Sequence, residues 1–200
     1  MTAFGTIVTP SEVEQNVKQV LQDWMFSYLR AVELATGREN KSLPRVRSWE
    51  IASDDETFPE NQTPALQLTW SECRTVGHGD GLAGQIDMTC IVFVEAAGFD
   101  AVRSLASAYA FAVAMIAEQK LRNEPLLDGV SNPVLGLPVV THRDQRRFRA
   151  MGTCDFTVTA NQMLDPLAEP EQISEDDVPG DYPTVPDIDH VIVDVDPLDP

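Results

Sequence analysis

The residues that could do chemistry in this chain are few and scattered. His78, His142 and His190 share no spacing and fall in different stretches, so no pair is placed to ligate a metal or to orient a general base. Cys73, Cys90 and Cys154 are odd in number, far apart and without a Cys-x-x-Cys pair. That points away from both a disulfide framework and a zinc site. Gly77, Gly79, Gly81 and Gly84 surround His78 and Asp80, but the Gly-Lys-Ser/Thr ending of a phosphate-cradling loop is missing, as is a helix directly after it. Asp187, Asp189, Asp194 and Asp196 carry oxygen ligands, yet the glycine and terminal glutamate of an EF-hand loop are not there. Nor does the chain contain Gly-x-Ser-x-Gly, His-Glu-x-x-His or a dinucleotide fingerprint. These residues predict no enzyme, with no catalytic, cofactor or metal site to assign.

Charge is the more informative signal. The net charge is −18, with 32 acidic residues against 14 Lys and Arg. Within this acidic chain Arg143, Arg146, Arg147 and Arg149 cluster around Asp144 and Gln145. They read either as a solvated hairpin tip or as a contact for an acidic partner surface, the tail of a neighbouring subunit or passing DNA phosphates. After Leu164 come twelve of the acids and seven of the 14 prolines, but no Lys or Arg. Such a segment buries too little apolar surface to order itself, so residues 165–200 are expected to form an extended arm or tail beyond a domain spanning 1–164. One patch departs from that composition. Val191, Ile192, Val193 and Val195, beside His190 and Asp194, have strand character and are a candidate for adding to the sheet edge of another chain.

The elements that must position these residues follow from periodicity. Thr9-Pro10-Ser11-Glu12 is a capping box with proline at the first helical position. Val13, Val17, Val20, Leu21, Trp24, Met25, Tyr28 and Val32 then form one apolar stripe, and Gly37 marks the stop. Val46 to Ala52 reads as a first strand, and the alternation of Leu66, Leu68 and Trp70 as a second. The second is expected to pair with a central strand across a Gly-rich loop from Arg74 to Gly84. In that central strand Ile86, Met88, Cys90, Val92 and Val94 share one face, while Ile91 and Phe93 make the other apolar too, predicting cover on both sides. An Ala-rich helix follows from Asp100, its expected N-cap, to Leu121, apolar on so many sides that burial by another subunit is expected. Pro125, Gly129, Pro133, Gly136 and Pro138 punctuate an irregular connection. Leu137 to Arg143 and Arg147 to Ala160 then close the domain as a hairpin. The fold class is therefore α+β, a mainly antiparallel sheet with two helices packed on it. No apolar run of about 20 residues and no secretory leader stand out, which predicts a soluble, intracellular chain.

This order of elements resembles the tail terminator proteins of long-tailed, siphophage-type bacteriophages over roughly Thr9 to Met163. It rests on the capped first helix at Thr9-Pro10-Ser11-Glu12, the strand pair at Leu66-Gln67-Leu68-Thr69-Trp70 and Ile86 to Glu95, the helix from Asp100, and Cys154-Asp155-Phe156-Thr157-Val158 in the last strand. The resemblance implies a virion structural protein that forms a homo-oligomeric, hexameric ring at the head-proximal end of the tail, assembled in the host cytoplasm. Its implied partners are copies of itself, the tail tube protein and a neck or head-completion protein, with double-stranded DNA passing through the lumen without sequence-specific binding and no membrane. Head-completion and neck proteins look much the same, and these together with a tail-tube subunit are the nearer alternatives. A small-molecule-binding α+β domain is the more distant one.

Overall fold

The first helix starts where the capping box places it. In a computed structural model of the chain, the Thr9 hydroxyl accepts from the Glu12 amide at 3.3 Å and the Glu12 carboxylate accepts from the Thr9 amide at 2.7 Å. Two of the amides that a helix start leaves without partners are thereby satisfied. Helix α1 runs Pro10–Thr36 and stops at Gly37, whose φ of 64° is open to glycine at little cost. The structure describes residues 9–39, 41–49, 62–77, 82–125, 127–142 and 147–164, all within one unit, Met1–Ala168.

The sheet is antiparallel throughout its named strands. Strands β1 (Ala65–Gly77) and β2 (Leu82–Ala96) form a long hairpin, and β6 (Phe148–Leu164) lies on the other side of β2. Three short strands, β3 (Leu127–Val130), β4 (Val134–Leu135) and β5 (Val139–His142), lie end to end along the far side of β6. Side chains alternate across a strand, so the even-numbered residues of β2 and β6 share one face. Ile86, Met88, Cys90, Val92 and Val94 are buried there beside Ala150, Cys154, Phe156, Val158 and Ala160. Helix α2 (Phe99–Gln119) covers that face over β2 and β6, and α1 packs on α2 and β1. The result is two layers with one core between them.

Helix α2 approaches the sheet closely, and Gly152 is why it can. A Cβ at position 152 would lie 2.9 Å from the Ala106 carbonyl oxygen and 3.2 Å from its carbon, both backbone atoms. The alanines of α2 and this glycine are complementary halves of one tight contact.

Several expectations change in the structure. The odd-numbered face of β2 is not covered by any described element. Its residues are half-buried, with Ile91 between Gln67 and Thr153 and Phe93 between Ala65 and Met151 in the ladder. Val46–Ala52 is no strand over its described part. Ser48 makes one parallel bridge to Ala65, and Trp49 turns to pack beside Met25, Phe26 and Leu29, while residues 50–52 lie outside the described residues. Pairing of β1 with β2 runs on to Gly77 and Leu82, so the Gly-rich stretch is mostly ladder rather than loop. Gly98, not Asp100, caps α2, which passes at Lys120 into a 3-10 turn, Leu121–Asn123. The connection 123–138 has no long element but does contain β3 and β4. Trp24 is at the rim of the α1 stripe, half exposed, with the Lys120 ammonium 3.6 Å above its ring. By length and composition Phe99–Asn123 is in fact apolar enough to cross a membrane, contrary to the sequence reading, although much of α2 is buried in the core.

Glu33 is the buried acid of α1, 1% exposed. Its carboxylate accepts from the Leu43 amide at 2.7 Å and pairs with Arg30, tying the chain after α1 back onto the helix. The Leu43 amide bond is the largest influence holding its pKa below the usual value of 4.5, and Lys41 and Arg30 act in the same direction. A carboxylate whose folded pKa is depressed adds stability above its unfolded pKa and loses it as pH falls through the folded value. Thermal unfolding followed from pH 7 to pH 3 is therefore expected to show a falling midpoint below about pH 4.5. Glu33→Gln should lower the midpoint at pH 7 and make the acid decline shallower. Asp87, also depressed, by the Thr157 hydroxyl first and Arg74 next, and Glu12, depressed by its bonds to Thr9, would contribute to the part that remains.

Candidate assembly interface

One end of the domain gathers the end of α1, the start of α2, the end of β2 and the start of β6. Arg38, just past α1, donates to the Ser104 carbonyl at 3.2 Å and to its hydroxyl. The Tyr109 hydroxyl donates to the Pro44 carbonyl, and burial raises its pKa. Phe99 meets Phe148 edge to face with ring centres 6.1 Å apart. Arg38, Arg47, Arg103, Arg147 and Arg149 all belong to this end and outnumber the carboxylates of Glu33, Glu95 and Asp100 beside them, which makes it basic in an otherwise acidic chain.

The arginines singled out by spacing separate here. Arg149 lies opposite Glu95 in the β2–β6 register, and its Nε and Nη2 donate to Glu95 Oε1 at 3.0 and 2.7 Å. With side chains 14% and 7% exposed, this pair is inside the sheet end rather than on its surface. Arg147 is exposed and lines a cavity of about 260 Å³ with Arg47, Glu95 and Tyr109. Arg143 and Arg146 lie outside the described residues, as do Val191, Ile192, Val193 and Val195.

Among the described residues no three His, Cys, Asp or Glu groups converge as metal ligands. Cys90 and Cys154 face each other in the ladder as free thiols. Burial raises both pKa values, that of Cys154 to about 12, so neither is a thiolate nucleophile near neutral pH. His142 packs on Phe148 at 4.5 Å between ring centres.

What the arrangement offers instead is surface for association. The outer edge of β1 from Gln67 to Gly77 pairs with no described strand, although the irregularity between Trp70 and Glu72 and the charges of Glu72 and Arg74 discourage indiscriminate pairing. On the opposite flank an apolar strip is exposed: Val134, Leu135, Leu137 and Val139, with Leu137 84% exposed. It continues through Leu135 to Phe111 on α2, which is 47% exposed. Both residues line a groove of about 480 Å³ bounded by the end of α1, with Arg38, Arg103, Ser104 and Ser107 along it. This strip and groove escaped the sequence reading because Pro133, Gly136 and Pro138 marked the stretch only as irregular.

No family model matches this chain, and no curated protein matches it. Among solved structures it is similar to a chain in the virion of a native gene transfer agent particle, at 15% identity over 72% of this chain and 98% of that one, with a TM-score of 0.35. A likeness at that level carries no argument by itself.

Proposed function

We propose that this chain is a non-enzymatic structural subunit of a phage-type particle, and that it associates head to tail with copies of itself. The observation that supports this most is the presence of two unlike surfaces on opposite flanks of one sheet, the β1 edge from Gln67 to Gly77, which pairs with no described strand, on one side and the exposed Val134–Leu137–Val139 strip on the other. A heterologous contact of that kind closes into a ring when its rotation permits and otherwise grows as a filament. Contiguous exposed apolar surface is a feature of association sites. In the finer reading the ring is hexameric, ends the tail tube at its head-proximal end and docks the neck or head-completion protein. The acidic surplus of the chain would repel phosphates in a lumen that DNA must traverse.

Leu135→Asp combined with Leu137→Asp tests the self-association. Both side chains are exposed, so the double variant is expected to keep the wild-type melting midpoint while its mass by light scattering falls to that of a monomer. An unchanged oligomer would remove the strip from the interface.

A further inference from the structure

The groove along α2 has the dimensions of a short extended peptide. From Asp100 to Phe111 it follows about 17 Å of helix axis, at about 1.5 Å per residue. That length holds about five residues of extended chain at about 3.3 Å each. Phe111 and Leu135 line one end with apolar side chains, the Ser104 and Ser107 hydroxyls follow, and the guanidiniums of Arg38 and Arg103 lie with the Asp100 carboxylate toward the basic end.

We propose that this groove receives residues 191–195 of a second copy of the chain. The inference rests on the self-associating reading above. The segment Val191-Ile192-Val193-Asp194-Val195 supplies apolar side chains for Phe111 and Leu135, and Asp194 and Asp196 supply carboxylates for the two arginines, whose charge exceeds that of Asp100 beside them. Location also matters. Strand β6 carries the chain away from the basic end, its 17 residues spanning about 55 Å, so Leu164 lies at the end opposite the arginines. Copies that each carry −18 repel one another. Placing the acidic segment of one copy on the basic end of the next turns that junction into a contact between opposite charges. Arg103 is exposed and makes no ion pair among the described residues, which leaves its guanidinium available for such a contact.

The test uses two full-length chains in a Cys73→Ser background, one with Ser107→Cys and the other tagged and carrying Val193→Cys, mixed and treated with a short bismaleimide. The expected result is a crosslink between the two chains that high salt and Arg103→Glu each reduce severalfold. A chain bearing both cysteines that links only within itself would overturn the second-copy assignment, and the absence of either product would overturn the groove as the docking site. Persistence of the crosslink in Arg103→Glu would overturn the charge pairing. Light scattering on the same mixture separates the two levels: assembled chains without a crosslink defeat this docking alone, whereas monomers defeat the self-association beneath it.

Discussion

Glu95→Ala is expected to cost the fold about 3 kcal/mol, the low end for stranding one member of a buried ion pair. The reason is positional. Glu95 and Arg149 are opposite one another where β2 ends and β6 begins, and removing the carboxylate takes from a guanidinium that is only 14% exposed the acceptor of two of its hydrogen bonds. At about 2–4 °C per kcal/mol for a chain of this size, the midpoint should fall by about 6–12 °C. Arg149→Ala should behave similarly. Glu95→Leu with Arg149→Met should recover most of the loss, because apolar side chains of similar volume avoid the desolvation penalty altogether. Circular dichroism melts of the three variants check this. Single variants within about 0.5 kcal/mol of wild type would mean that the pair behaves as a solvated surface bridge.

Gly152→Ala is the second large effect. The added methyl would meet the Ala106 carbonyl at 2.9 Å, and neither helix backbone nor central strand can yield without moving neighbours. Overpacking of this kind costs about 1–3 kcal/mol, and larger residues at 152 are expected to prevent folding to a single state. Gly129→Ala is the control. Nothing lies within 4 Å of a Cβ at 129, so its midpoint should stay close to wild type. Equal melting of the two variants would show that α2 does not pack on β6 as closely as described.

These two positions also mark where sequence reasoning stopped. The period-two pattern put Gly152 and Arg149 on opposite faces of β6, which is how the strand lies. It did not identify the helix residue above Gly152 or the carboxylate beside Arg149, since both depend on register between segments far apart in the chain. Local signals served well where the physics is local. Thr9, Pro10 and Glu12 specify a helix start through bonds three residues apart, and Gly37 specifies its end through backbone conformation. The same reasoning misplaced Val46–Ala52, where Pro44 and the docking of Trp49 on α1 outweigh strand composition. It also overlooked β4, two residues long and held by pairing with β6 at Asp155 and Cys154. The groove was not legible at all. Its walls come from the end of α1, one face of α2 and Leu135, and only tertiary packing brings these together.

The most direct test of self-association into a closed assembly is molar mass by light scattering across a range of concentrations, with negative-stain images of the largest species, alone and with tail tubes added. The account predicts discrete rings that do not stack and that bind the tube end. Monomers at every concentration that also ignore tubes would contradict it, and long tubes formed by the chain itself would contradict the proposed role in ending growth.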